Sequence, residues 1–215
     1  MEFKSRQQAG QLLVSKLKKY IDKDVVVYAI PRGGVVTANE IAKELKCPLD
    51  LIITRKIGHP QNIEYAIAAV AEDGHTVSVK EEIDKVSKNW LQEKIEEERM
   101  EIKRRRGTYL LGKESISAIG KIAILVDDGV ATGLTLRAGI MELKHQKPRK
   151  IIVAVPVICE SISKIIKAEV DELVTLLVSP DDIFLGAVGA YYDEFPQVPD
   201  EEVIEILKSR NESFL

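Results

Sequence analysis

The chain has 215 residues, with 34 acidic and 31 basic side chains, a formal charge of −3 and 45% hydrophobic residues. This composition fits a globular domain with a large core and argues against a disordered or collagen-like chain. The slightly acidic balance gives no general electrostatic reason to bind nucleic acid, whose backbone rewards an excess of Lys and Arg. In chain order, Ala9, Leu12, Leu13, Leu17 and Tyr20 fall on one helical stripe capped by Ser5, and the β-branched run at 25–30 predicts a buried strand. A helix follows at 36–46, a strand at 49–54, strands at 66–71 and 76–79, and a long charged helix from 81 to about 105. Beyond it come a strand at 121–126, a helix at 134–145, a strand at 150–155, a helix at 158–168 and a strand at 172–178. Strands without a polar alternate face, separated by helices, predict an α/β fold: a doubly wound, mostly parallel sheet with helices on both faces. No repeat or Pro/Gly-rich linker divides the chain, so residues 1–215 read as a single domain.

The longest apolar run, residues 151–159, falls well short of the roughly 20 residues that span a bilayer, and Pro156 interrupts it. Residues 1–10 lack the apolar core of a secretory signal, and a cytoplasmic location is expected. Cys47 and Cys159 lie far apart beside apolar segments and read as reduced, packed thiols. His59, His75 and His145 are scattered, without zinc-ligand spacing. In the charged segment, Glu96, Glu97 and Glu98 are answered by Lys103, Arg104, Arg105 and Arg106. The favoured reading is a solvated helix whose basic end complements its carbonyl end; the alternative is a face for an anionic ligand or a partner subunit.

The stretch 122–135, IAILVDDGVATGLT, carries the chemistry. It starts as a buried strand, reaches Asp127 and Asp128 where the strand should end, crosses a loop of small and hydroxylated residues, and enters a helix. Ligands gather at such carboxyl ends in open α/β sheets. Backbone N–H groups, the hydroxyls of Thr132 and Thr135 and the positive helix end together suit a monophosphate, and Gly129 and Gly133 allow close backbone approach. Two adjacent carboxylates need partners, which sugar hydroxyls or a divalent cation such as Mg2+ would supply. The combination describes a sugar-phosphate site. A second strand-loop-helix corner, Pro31-Arg32-Gly33-Gly34, joins an Arg fork to backbone donors and suits a diphosphate. A third, beginning Arg55-Lys56 and running polar through residue 64, reads as a mobile lid.

The run from Leu125 to Thr135 resembles the signature of type I phosphoribosyltransferases, which bind 5-phosphoribosyl 1-diphosphate (PRPP). By that resemblance, Asp127 and Asp128 would take the ribose hydroxyls and the metal, and Val130, Ala131, Thr132, Gly133, Leu134 and Thr135, beside Gly129, would wrap the 5′-phosphate. Arg32, Gly33 and Gly34 would hold the diphosphate, with a cis peptide between Pro31 and Arg32. Arg55 and Lys56 would belong to a loop closing over PRPP, with His59 matching only loosely. The opening helix, the P-R-G-G, R-K-I-G and V-A-T-G segments and the stretch at 189–195 resemble a branch of predicted phosphoribosyltransferases of unassigned acceptor. The resemblance implies Mg2+-dependent transfer of a phosphoribosyl group to a nitrogenous base or other small amine, with release of diphosphate. It also implies a small hood, for which the terminal segments compete: residues after Ser179, including Phe184, Tyr191, Tyr192 and Phe195, or the first helix with Phe3. Tyr191 and Tyr192 are the candidate acceptor contacts. Ser179-Pro180-Asp181 is faintly similar to the hood of 6-oxopurine transferases, but the Lys expected just upstream is absent. Two other readings stand beside this one. The first is a non-catalytic PRPP sensor that binds a nucleic acid or protein; the second, a phosphotransfer receiver, is disfavoured by the A-T-G-x-T loop. PRPP and a small acceptor are the expected partners, and a homodimer is possible for such an enzyme.

Overall fold

A computed structural model describes residues 2–212. The helices are α1 (Arg6–Leu17), α2 (Gly33–Leu45), α3 (Lys80–Ile83), α4 (Lys88–Leu110), α5 (Leu134–His145), α6 (Glu160–Glu169) and α7 (Asp200–Glu212). The strands are β1 (Val25–Ala29), β2 (Leu49–Leu51), β3 (Thr54–His59), β4 (Asn62–Ala71), β5 (Thr76–Ser78), β6 (Ile122–Val126), β7 (Lys150–Cys159) and β8 (Glu172–Ser179). Five strands form a parallel sheet in the order β2-β1-β6-β7-β8.

Alternation along the central strands divides the core in two. Val25, Val27 and Ala29 of β1 and Ile122, Ile124 and Val126 of β6 pack with residues of α1, α2, α4 and α7. Val26, Tyr28, Ala123 and Leu125 point the other way, against Leu136, Ile140 and Leu143 of α5 and Ile166 of α6. Both faces are therefore covered, which explains why the strands show no polar side. Ser5 caps α1 by accepting the Gln8 N–H at 3.3 Å, as its position predicts. Leu12 departs from the predicted stripe and lies exposed. Both cysteines are buried and unpaired, and burial pushes the Cys47 thiol up to about 12.

Several element boundaries differ from expectation; α2, for one, begins at Gly33 rather than 36. The strand predicted at 49–54 is split: β2 joins the parallel sheet, while β3 opens a separate antiparallel sheet, β3-β4-β5. The polar segment predicted as a lid loop is the distal part of a β3–β4 hairpin, with Thr54 opposite Ala71 and His59 opposite Asn62. Gly58 and Pro60 signal a loop locally, but β4 supplies the pairing from the other side. The predicted helix from 81 breaks at 84–87 into α3 and α4. β7 continues through Pro156 to Cys159, so α6 begins at Glu160 rather than 158; the strand lengthens because Val157, Ile158 and Cys159 pair with Leu177, Val178 and Ser179.

The basic run of α4 is not at the carbonyl end, since the helix extends to Leu110. Arg104 and Arg105 each pair with Glu101 at 2.7 Å. Arg106 pairs with Glu72, donates to the Leu51 carbonyl at 3.0 Å and lies 3.8 Å from the buried Asp50. This part of the charged segment braces α4 against β2 and β4. Among the described residues, no helix is long and apolar enough to cross a membrane.

Candidate phosphoribosyl site

Numbered along the chain, the five parallel strands run 2-1-3-4-5, and the order reverses between β1 and β6. A crevice opens at that reversal, at the carboxyl ends of the strands. The two informative loops, 30–33 after β1 and 127–133 after β6, leave the sheet there side by side. Val126 is opposite Ala29, and its carbonyl accepts the Ile30 N–H at 2.9 Å.

The glycine corner is shaped by the acids behind it. A Cβ on Gly33 would fall 1.9 Å from Asp128 Oδ2; one on Gly34 would fall 2.9 Å from the Val126 carbonyl and 3.2 Å from Asp127 Oδ1. Only the absence of side chains lets α2 begin against the carboxylates. The Pro31–Arg32 peptide is cis, as expected. Gly33→Ala is therefore expected to displace either Asp128 or the start of α2. It should cost about 1–3 kcal/mol of overpacking, read by chemical denaturation; unchanged stability would mean that the corner relaxes freely.

Asp127 and Asp128 are half-buried neighbours whose charges act on each other. Burial and then the neighbouring Asp128 charge push the Asp127 carboxyl well above the usual range, while Lys56 acts in the opposite direction. Asp127 Oδ1 accepts the Asp128 N–H at 2.8 Å. Burial also raises Asp128, but here Arg6 opposes the rise. Arg6 Nε donates to Asp128 Oδ2 at 2.7 Å, Nη1 donates to the Pro196 carbonyl at 2.7 Å, and the guanidinium lies 3.5 Å from the centre of the Phe195 ring. Arg6 is only 7% exposed. This buried cation was missed in the sequence because it stands 122 residues from its carboxylate in an ordinary helical turn.

The β6–α5 loop is built for close approach. Gly133, at φ 74°, precedes α5 in the left-handed region, and a Cβ there would meet Ile162 Cγ2 at 2.6 Å. Val130 is buried and its N–H donates to the Val157 carbonyl at 2.9 Å; the Ala131 carbonyl accepts from Cys159 Sγ at 3.2 Å. Thr132 is exposed and Thr135 half-buried, with Leu134 buried beneath them. The loop ends at the positive terminus of a 12-residue helix.

The remaining predicted residues divide. Arg32 stands at the mouth of the glycine corner, with Nη1 3.3 Å from Asp200 Oδ1 on α7; Asp200 also accepts from the Tyr109 hydroxyl at 2.8 Å. On β3, neighbouring side chains project to opposite faces. Lys56 is exposed and its charge reaches Asp127, whereas Arg55 donates to Glu98 of α4 at 2.6 Å. The two do not form one basic patch. Tyr191 and Tyr192 correct the acceptor expectation: they are 5% and 2% exposed, packed with Phe3, Val157 and Phe195. Their hydroxyls are engaged as well, Tyr191 with Ser179 Oγ at 2.9 Å and Tyr192 with the Asp128 carbonyl at 2.6 Å. Rings enclosed in this way offer no face to a ligand. They anchor the segment around 191 to the first residues of the chain, where Phe3 bridges Tyr192.

Comparison with known proteins agrees with this geometry. The Phosphoribosyl transferase domain family matches residues 4–194. The Mycobacterium tuberculosis protein Rv0571c, provisionally named a phosphoribosyl transferase, is 35% identical over 217 residues, covering 99% of this chain and 48% of its own length. The chain thus spans about half the length of the curated relatives it matches. The crystal structure of TT1426 from Thermus thermophilus superposes with a TM-score of 0.80 at 36% identity, covering 97% of this chain and 99% of that one. The AQ2163 protein of Aquifex aeolicus, at 14% identity and TM-score 0.52, covers 84% of this chain and 79% of its own and shares the fold. With most of its length matched and the motif loops meeting at the sheet reversal, the chain belongs to the phosphoribosyl transferase domain family.

Proposed function

We propose that this chain transfers the phosphoribosyl group of PRPP to a nitrogenous base or other small amine. The observation that carries the reading is the packing of the Arg32-Gly33-Gly34 corner directly against Asp127 and Asp128, one strand from the β6–α5 loop. In this reading the backbone from Val130 to Thr135 binds the 5′-phosphate, Gly129 and Gly133 let the loop pack against Val188 and Ile162, and α5 adds its positive end. Asp127 accepts from the ribose hydroxyls. Asp128, held by Arg6, positions the loop from behind. Arg32 leaves Asp200 to grip the diphosphate with the N–H groups of Gly33 and Gly34.

Two adjacent half-buried acids, of which Asp128 is ion-paired with Arg6, fit a hard divalent cation, and Asp127 is the side chain that would hold Mg2+. When bound, Mg2+ neutralises charge on the departing diphosphate. The anomeric C–O bond breaks, its electron pair leaving with diphosphate, as the acceptor nitrogen forms its bond to carbon, and the nitrogen's proton passes to solvent. The protein's task is to align the two reactants and exclude water. Lys56 on the β3–β4 hairpin faces this centre and is assigned to the diphosphate, Arg55 to holding the hairpin on α4. Lys56→Ala should weaken PRPP binding about tenfold, equivalent to about 1.4 kcal/mol, with stability unchanged because the side chain is exposed. Titration calorimetry beside a thermal melt would separate the two.

The sensor alternative would draw support from a free basic face at Lys103 to Arg106; Lys103 is exposed, while Arg104, Arg105 and Arg106 are paired within the chain. The deciding experiment incubates protein, PRPP and Mg2+ with a panel of bases and amines and follows diphosphate release. Release coupled to a ribosylated acceptor is expected. Tight PRPP binding without release on any acceptor would replace transfer by sensing.

A further inference from the structure

The fold brings together three side chains that their sequence positions keep apart. The β4–β5 turn holds Asp73 and His75 on either side of Gly74, and α5 ends at His145. The two imidazole rings lie 4.2 Å apart, tilted by 44°. Asp73 accepts the His75 N–H through Oδ1 at 3.0 Å and meets His75 Nδ1 through Oδ2 at 2.7 Å. One ligand atom from each of the three residues lies within 4.8 Å of the others. The scattered histidines of the sequence are therefore two neighbours and one outlier, His59, on the hairpin.

This meeting is not a chance brush of surface chains. The turn is docked on α5 through the buried Glu142, whose Oε2 accepts the Glu72 N–H at 3.1 Å, one helical turn before His145. Gly74 takes φ 93°, which tightens the turn and brings Asp73 and His75 together. Asp73, Glu72 and Glu142 lie together; Arg106 pairs with Glu72, and burial, followed by the Asp73 charge, pushes the Glu142 carboxyl up to about 8. His75 and Asp73 are about one third exposed, so both can turn without disturbing the core.

We propose that Asp73, His75 and His145 bind a borderline divalent transition metal of the Zn2+ class, with water completing the shell. Two imidazoles and a carboxylate are the donor set such ions favour, and Mg2+, which prefers oxygen alone, is not expected there. Metal–ligand bonds of about 2.0–2.2 Å place tetrahedral ligands about 3.3 Å apart, so the ligand atoms, now within 4.8 Å of one another, would draw together as the Asp73–His75 hydrogen bond gives way to bonds to the metal. The metal would clip the β3-β4-β5 sheet, which carries Lys56, to α5, whose opposite end carries the 127–133 loop. The site is separate from the acidic pair and does not depend on what that pair binds.

Titration calorimetry of tag-free, chelator-stripped protein with Zn2+, and visible absorption with Co2+, test this. One equivalent is expected, with Co2+ bands of a nitrogen- and oxygen-ligated ion, a higher melting temperature and no competition from excess Mg2+. His75→Ala and His145→Ala should each weaken binding at least tenfold, while His59→Ala and Asp127→Asn leave it intact. Absence of stoichiometric binding, or binding that survives both histidine replacements, would overturn the proposal.

Discussion

Replacing Asp127 with Asn is expected to move activity and stability in opposite directions. The side chain keeps its shape, and Oδ1 can still accept the Asp128 N–H, so the loop should hold. In the proposed reading the loss is the charge that would accept from ribose hydroxyls and hold the cation, and turnover of PRPP should fall by about 10²–10³-fold, or about 2.7–4 kcal/mol of transition-state stabilisation. Without ligand that same charge is a burden, because burial and the Asp128 charge both oppose it. The Asn variant should be more stable than the parent by about 0.5–2 kcal/mol, the usual gain when a functional site is relaxed. The sign with pH follows from linkage. The folded-state pKa of Asp127 is raised above its unfolded value, so the parent is favoured at acid pH and loses stability as pH rises through the folded value. Asn has no such slope. Its advantage should therefore be clear at about pH 8 and shrink as the solution is acidified, as seen in melts with chelator present. An Asn variant less stable than the parent under those alkaline conditions would show that the acidic pair is already compensated.

Removing Arg6 should have the largest effect on stability. Its guanidinium and the Asp128 carboxylate are mostly shielded from water, and breaking such a pair leaves a buried charge alone at a cost of about 3–5 kcal/mol. For a domain of this size Arg6→Ala should lower the melting temperature by on the order of 10 °C. Part of that loss comes from Phe195 and the Pro196 carbonyl, which Arg6 also engages. Combining Arg6→Met with Asp128→Asn removes both charges and should recover several degrees relative to Arg6→Met alone. Equal melting temperatures for the single and double variants would show that the ion pair has no coupling.

How much of this was legible in the sequence depends on how local each signal is. The run from Ile122 to Thr135 encodes strand, acids, loop and helix within 14 consecutive residues, and the structure has each in that place. The Pro31-Arg32-Gly33-Gly34 corner is equally local. The parallel sheet was readable because strands buried on both faces lack polar alternation. Arg6, the separation of Arg55 from Lys56, and the approach of His75 to His145 were not readable, since each depends on which elements become neighbours. Strand alternation alone would have put Arg55 and Lys56 on opposite faces, had 55–64 been recognised as a hairpin. The tyrosines at 191 and 192 misled for a related reason: an aromatic pair near a loop looks the same whether it awaits a ligand or fills a gap under Phe3. α7 was overlooked because its apolar signal is thin: among the residues whose burial is described, only Val203 and Leu207 are deeply buried.

The bridge between Phe3 and Tyr192, with the Tyr192 hydroxyl on the Asp128 carbonyl, joins the beginning of the described chain to its last quarter at the acidic loop. A polypeptide emerging from the ribosome delivers the glycine corner and both acids long before Tyr192, Phe195 and Pro196 are available. Until they arrive, Arg6 has its carboxylate but neither its ring nor its carbonyl. If the acidic loop binds ribose phosphate as proposed, that affinity should be acquired late in synthesis, after the central sheet is already in place.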